Sequence, residues 1–357
     1  MSLRAYGWNS LFASHYEPWA RDGYGVGRVV LERRGFYDVV MEEGEVEAVL
    51  AGRLRHHADG SEDLPAVGDW VVTAAPSPAD GRAVVHAVLP RRAKLSRKVA
   101  GARAREQVVA ANVDVVFLVM GLDGDFNPRR LERLLVMAWE SGARPVVVLN
   151  KADLADDVEA RREEIELVAP GVPVLAASCL ATGGLDAVRS ELREGETVAL
   201  VGSSGVGKST LVNRLCGREV LRTGAVRSGD DRGRHTTTHR ELVPLASGAL
   251  LIDNPGIREI QLWTSEEGME QAFGDLEALA RRCRFRDCRH QDEPGCAVRA
   301  ALEDGSLAPE RLESYRGLER ERRFLERRRD ERSRRAEERK LGKLYRDVQA
   351  EKEAWRR

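Results

Sequence analysis

The sequence predicts a multidomain α/β protein with a small N-terminal β-barrel, a parallel-sheet domain and a mostly helical C-terminal segment. Three observations predict it. Five short β-rich runs crowd between Gly27 and Leu89. From Asn112 to Ile252, apolar runs alternate with helical patterns. Three cysteines and a histidine then cluster between Cys283 and Cys296, ahead of a long Arg- and Glu-rich stretch. At 357 residues, 42% of them hydrophobic, the chain can bury two or three cores.

Residues 1–24 mix aromatic and polar side chains without a clear period, which predicts a loosely ordered N-terminal arm. Over 25–98 the runs are Gly27–Arg33, Tyr37–Met41, Glu45–Leu50, Asp69–Thr73 and Arg82–Leu89. Gly35, Gly44, Gly60, Gly68 and the stretch Pro76–Gly81 punctuate them. Five short strands in so few residues suit a small closed barrel, of which the OB-fold is one kind. RNA is a sensible ligand for such a barrel, and a plain packing module is the alternative. Pro90–Lys98 reads as a basic connector, either lying against phosphates or simply solvated.

The parallel-sheet domain is expected over 99–264. Asn112–Met120 and Arg144–Leu149 are strand-like, with a helical pattern over Arg129–Glu140 between them. Further on, the apolar run Glu196–Val201 leads into Gly202-Ser-Ser-Gly-Val-Gly-Lys-Ser-Thr210 and then Leu211–Leu215. This is strand, glycine loop and helix, with the full spacing G-x-x-x-x-G-K-[ST]. Gly202, Gly205 and Gly207 free the backbone of Ser203, Ser204 and Val206 to turn N–H groups inward on a polyphosphate. The positive end of the following helix, with Thr210 in its first turn, reinforces them. Lys208 reaches the β- and γ-phosphates, and the Ser209 hydroxyl is placed for a bridging Mg²⁺.

The second strand ends in Asn150-Lys151-Ala152-Asp153, which selects the base. A carboxylate at Asp153 accepts from the ring N–H and the exocyclic amino group of guanine, donors that adenine lacks on that edge. A buried acceptor left unpaired costs about 1–3 kcal/mol, and more when charged. Val174–Cys179 is another strand, where Ala177 and Ser178 can offer backbone contacts to the base. Most P-loop GTPases carry the phosphate loop first, yet here Asp153 precedes Lys208 by 55 residues. Binding depends only on where strand ends converge, so the domain reads as circularly permuted. Beyond the loop, one of Thr236, Thr237 and Thr238 is expected to close over the γ-phosphate. The strand Ala249–Ile252 ends in Asp253-Asn-Pro-Gly256, with Asp253 toward Mg²⁺ through water and Gly256 as γ-phosphate sensor.

In the third region, 265–357, Cys283, Cys288, His290 and Cys296 offer a tetrahedral Cys₃His set for one structural Zn²⁺, and Pro294-Gly295 turns Cys296 back toward it. Redox-active or merely packed cysteines are the alternative. Cys179 and Cys216 read as structural. Net charge is −1, but residues 311–357 hold 18 Lys and Arg against 11 Asp and Glu, a surplus of seven. That basic end makes RNA a partner to consider, while the i,i+4 pairs Glu319 with Arg323 and Glu331 with Arg335 fit a solvated helix. An odd number of scattered cysteines and no long apolar stretch predict a cytoplasmic protein with no membrane partner.

The order N-K-A-D, G-S-S-G-V-G-K-S-T, G-R-H-T-T-T and D-N-P-G, between a β-rich start and a Cys/His segment, resembles the ribosome small subunit-dependent GTPase A family, RsgA, from about Gly25 to about Leu318. The resemblance implies an OB-fold, a circularly permuted GTPase domain and a zinc domain. It further implies GTP hydrolysis stimulated by the small ribosomal subunit during its late maturation, with its rRNA and GTP/GDP as partners, in a chain expected to act as a monomer. Where many GTPases carry a water-orienting Gln after the D-x-x-G glycine, this chain has Ile257, which cannot orient water. His235 is the candidate replacement, in line with the resemblance. Two other readings remain: an RNA-binding assembly factor using GTP only as a latch, and a GTPase serving a non-ribosomal partner.

Overall fold

The structure, a computed structural model, describes residues 2–33, 35–58, 60–75, 81–98, 106–220, 240–253, 266–324 and 326–327. It divides into two compact units, Met1–Leu262 with Glu270–Ala272, and Trp263–Met269 with Phe273–Arg357.

The first unit opens with a 3₁₀ turn, Leu3–Tyr6, and helix α1 (Ser10–Arg21). Its cap Asn9 accepts from the N–H groups of Leu11 and Phe12. The arm expected to be loosely ordered is therefore folded. Its aromatics carry no helical period, yet Trp8 meets Trp70 edge-on at 4.6 Å and Phe12 is buried with Val26, Trp70 and Leu89. A few large rings at irregular spacing suffice when a barrel wall receives them.

The barrel comprises β1 (Gly25–Arg33), β2 (Phe36–Met41), β3 (Gly44–Leu50), a short helix α2 (Gly52–His57), β4 (Trp70–Ala74) and β5 (Ala83–Val88). Strands pair in the order β1-β2-β3-β5-β4, and β4 pairs back to β1, so the sheet closes; only β3–β5 is parallel. This is the OB-type closed barrel. Val29, Val39, Ala48, Val71 and Val85 fill it, supplied by alternate positions of each strand. The connector read at Pro90–Lys98 is structured as well. Arg91 pairs with buried Asp69 at 2.7 Å, and β6 (Lys94–Lys98) pairs antiparallel with β7 (Glu106–Ala111) because Leu95 buries completely.

The parallel-sheet region contains β8 (Val115–Gly121), α3 (Pro128–Glu140), β9 (Arg144–Asn150), α4 (Val158–Val168), β10 (Val174–Ala176), α5 (Asp186–Ser190), β11 (Thr197–Val201), α6 (Lys208–Cys216), β12 (Arg240–Pro244) and β13 (Leu250–Asp253). The strand order is β10-β9-β8-β11-β13-β12, parallel through β13 and antiparallel at β12. β8 is buried at every position, as a strand covered on both faces must be. β12 also pairs with β1 of the barrel, Leu31 opposite Glu241 and Glu32 opposite Arg240, so one sheet runs from nucleotide-type domain into barrel.

Arg28 fastens the two. Its guanidinium, 2% exposed, donates to Thr197 Oγ1 at 2.8 Å, to the carbonyls of Gly68 and Asn112, and to that of Tyr6. Burial pulls its pKa down to about 9, against the pull of Asp69, so the group stays charged near neutrality. Removing it strands several buried acceptors, each costing about 1–3 kcal/mol. Arg28→Met is expected to destabilise the first unit by about 3 kcal/mol in urea unfolding, and a loss below about 1 kcal/mol would refute this role.

Helices α7 (Glu266–Ala272), α8 (Gly274–Ala280) and α9 (Ala297–Glu303) follow, then a helical stretch over 309–324. In the second unit, Phe273, Leu276, Val298, Leu307, Leu312 and Leu318 are buried. Arg311 lies over the Phe273 ring and forks onto Asp275 at 2.6 and 2.7 Å. Burial would raise the Asp275 carboxyl, but Arg311 outweighs it and holds the group below its usual range. Glu319 pairs with Arg323 at 2.5 Å, as the spacing predicts; Glu331 and Arg335 lie outside the described residues.

Candidate nucleotide site and candidate metal centre

Parallel strands aim their C-terminal ends the same way, and the chain-order puzzle dissolves there. Gly121 of β8, Asn150 of β9, Ala176 of β10, Val201 of β11 and Asp253 of β13 all end on one edge of the sheet. Asp153 and Lys208, far apart in sequence, follow β9 and β11, the two strands that flank β8.

The Gly202–Gly207 loop leaves β11 and enters α6. A Cβ on Gly202 would run into the Val119 carbonyl. Gly207 caps α6 at φ 93°, in the left-handed region, and a Cβ there would strike the Asn150 amide. Leu211 N–H donates to the Gly207 carbonyl at 2.9 Å, so the N–H groups of Ser209 and Thr210 lie in the first turn, ahead of the helix's own ladder. These donors, with the helix dipole, make an anion site. Lys208 Nζ donates to the carbonyls of Gly202 at 2.6 Å and Ser203 at 2.5 Å, so its ammonium folds against the loop that would hold phosphates.

At the base end, Asp153 is exposed, and Ser178 Oγ donates to its Oδ1 at 2.5 Å. The Ser178 hydroxyl in turn accepts from the N–H groups of Leu180 and Ala181, fixing the loop that follows β10. Ala152 N–H donates to Ala177 at 3.0 Å. Asn150 ends β9 beneath both loops. It is buried, and its amide donates to the Val206 carbonyl at 2.7 Å, tying base loop to phosphate loop. Cys179 packs on the sheet core with its thiol 3.8 Å from Asn150 Oδ1.

Two residues escaped the sequence reading. Asp123 pairs with Lys151 at 2.5 Å, and that hydrogen bond holds its carboxyl below the usual range. Arg130 Nη1 donates to Ser203 Oγ at 2.5 Å and to Asp125. The signal was present: Asp123-Gly-Asp125 directly follows an apolar strand, where ligands gather in such sheets. The Asp253 side chain, His235, Thr236, Thr237, Thr238, Gly256 and Ile257 lie outside the described residues.

The Ser209 hydroxyl sits in the first turn of α6. The backbone of Asp253 ends β13, which is paired in register with β11 (Ala199 opposite Ile252). The segments that carry Ser209 and Asp253 thus leave adjacent strands, as a Mg²⁺ site of hard oxygen donors would require.

In the second unit the four sulfur and nitrogen donors of Cys283, Cys288, His290 and Cys296 lie within 4.8 Å of one another. A tetrahedral zinc with Zn–S about 2.3 Å and Zn–N about 2.0–2.1 Å requires S···S near 3.8 Å and S···N near 3.6 Å. Cys283 and Cys296 are 3.9 Å apart, and each lies 3.5 Å from His290 Nδ1. The set therefore fits the metal. Cys296 caps α9, accepting from Arg299 N–H at 3.4 Å. Glu293 accepts from the N–H groups of Arg289 and Gln291, which hold its carboxyl down to about 2, and Arg316 grips the His290 carbonyl at 2.7 Å.

The family described as RsgA GTPase matches over residues 88–263. A small ribosomal subunit biogenesis GTPase RsgA of Opitutus terrae is 47% identical, covering 98% of this chain and 98% of its own length. The solved structure of YjeQ from Thermotoga maritima superposes with a TM-score of 0.63 at 28% identity, covering 84% of this chain and 98% of that one. YloQ, described as a circularly permuted GTPase, superposes at 0.59 with 26% identity, covering 84% and 96%.

Proposed function

The chain belongs to the RsgA GTPase family and is a GTPase, and from that premise we propose that it hydrolyses GTP in answer to the small ribosomal subunit, during late maturation of that subunit in the cytoplasm. The carrying observation is the gathering of Asn150–Asp153, Ser178 and Gly202–Ser209 at the C-terminal ends of the parallel strands, with the Asp153 carboxylate on one side and the first turn of α6 on the other.

In this reading Asp153, oriented by Ser178, accepts from guanine. Lys151, held by Asp123, lies beside the base, and Asn150 keeps that loop in step with the phosphate loop. The N–H groups of Lys208, Ser209 and Thr210 and the Lys208 ammonium receive the phosphates. Ser209 and Asp253 hold Mg²⁺, which neutralises charge on the β- and γ-oxygens when bound. One of Thr236, Thr237 and Thr238, together with Gly256, senses the γ-phosphate. Ile257 supplies no hydrogen bond to water, so turnover by the free protein is slow, and His235 orients the attacking water once the ribosomal partner is engaged. The barrel and the basic C-terminal end bind rRNA, and the Cys₃His centre holds one structural Zn²⁺. The chain works as a monomer.

The test is steady-state GTP hydrolysis with small subunits, with large subunits and alone, using Lys208→Ala as an inactive control. A rise specific to small subunits is expected; no rise shifts weight to the latch. His235→Ala is expected to lower stimulated turnover about 10²-fold while leaving GTP affinity unchanged. Unchanged stimulated turnover would remove His235 from the mechanism.

A further inference from the structure

Arg130 has a task that surface charge does not explain. It is the third residue of α3, and its own N–H donates to the cap Asn127 Oδ1 at 3.0 Å, so its backbone is fixed at the helix start. From there the guanidinium crosses to the phosphate loop and donates to Ser203 Oγ at 2.5 Å, while Asp125 accepts from the same nitrogen. The side chain is 42% exposed. As an ion pair with Asp125 alone, it would contribute little, because water screens a pair so exposed. The third partner changes this, because Ser203 is also the residue whose carbonyl takes Lys208 Nζ at 2.5 Å. Ser203 is thus gripped on both sides, hydroxyl by Arg130 and carbonyl by Lys208.

We propose that Arg130 is a positioning residue for the phosphate loop: through the Ser203 hydroxyl it fixes the loop conformation in which the inward N–H groups and Lys208 meet the β-phosphate. Asp125 keeps the guanidinium aimed at Ser203. The same short loop carries Asp123, which performs the matching duty for Lys151 at the base end, so residues 123–125 brace both ends of the nucleotide site. Arginine suits the task because both N–H bonds of Nη1 lie in the fixed guanidinium plane, one serving the carboxylate and one the hydroxyl; a lysine ammonium turns freely on a flexible stem. The inference rests on the guanine-nucleotide reading of the site.

The experiment measures the affinities of GMP, GDP and a non-hydrolysable GTP analogue for the full chain and for Arg130→Ala, Arg130→Lys, Ser203→Ala and the double variant Arg130→Ala/Ser203→Ala. A lost charge-assisted hydrogen bond predicts about tenfold weaker GDP and GTP-analogue binding in Arg130→Ala. GMP, which has no β-phosphate, is expected to bind unchanged. Ser203→Ala should reproduce the loss, the double variant should add nothing, and Arg130→Lys should restore little. Equal weakening for all three nucleotides would mean a merely structural role and overturn the proposal. So would a loss confined to the GTP analogue, which would mean direct contact with the γ-phosphate, or a Ser203→Ala variant that binds like wild type. Wild-type protein that binds none of the three would instead overturn the nucleotide reading itself, whereas normal wild-type binding with an unaltered Arg130→Ala overturns only the inference.

Discussion

Asp153→Asn is expected to cost roughly 10²–10⁴-fold in GTP affinity and to confer binding of xanthosine triphosphate. The carboxylate accepts two guanine donors, and hydrogen bonds to a charged group are worth about 1.5–3 kcal/mol each. In the protein, Ser178 Oγ donates to Asp153 Oδ1 at 2.5 Å. An asparagine that keeps this bond through its oxygen turns its NH₂ toward the base, where guanine offers a second donor and the two repel. Xanthine carries a carbonyl at that place, which accepts from the amide. Nucleotide competition against labelled GDP measures both halves of the exchange. If Asp153→Asn binds GTP as well as wild type does, Asp153 is not the residue that reads the base. Because Ser178 orients the carboxylate, Ser178→Ala should give a smaller loss with no change of preference.

Removal of the metal from the second unit is expected to unfold the segment from Cys283 to Cys296. Within it, the residues that turn the chain are mostly exposed, and Cys296 is its one buried member. Four donors at zinc spacing, rather than apolar burial, would hold the segment together once the metal is bound. Structural zinc of this kind contributes on the order of 10 kcal/mol to folding of its own site. Elemental analysis of the purified protein should find about one zinc per chain, and Cys296→Ser or chelation should bring it close to zero. Limited proteolysis should then cut among the exposed arginines Arg284, Arg286 and Arg289, which the metal-loaded protein protects. Undiminished protection in metal-free protein would show that the hydrogen bonds of Glu293 and Arg316 suffice and that the cysteines serve another end.

The two tests probe sites that were readable to different depths. The strands of the barrel and of the parallel sheet were legible because β-branched runs and turn glycines are local signals. The helix at Ser10–Arg21 was not, since what orders it is the packing of Trp8 and Phe12 on a tryptophan about sixty residues away. Nor was β6, whose charged outer face hid the single buried Leu95. Asn150 belongs to the base motif, and only the strand order, β9 beside β8 and β8 beside β11, brings its amide to Val206.

The sequence by itself determined the candidate chemistry: a loop with glycines where a side chain would collide, a lysine and hydroxyl at P-loop spacing, a carboxylate in N-K-A-D, and a Cys₃His set at metal-ligand spacing. These depend on residue type and short spacing, which the chain carries in one dimension. Tertiary structure alone decided which of these groups work together. Arg130 on Ser203, Asp123 on Lys151 and Arg28 on Thr197 join residues 73, 28 and 169 positions apart. Such pairs arise because strand order in the sheet, rather than order in the chain, sets which loop ends are neighbours.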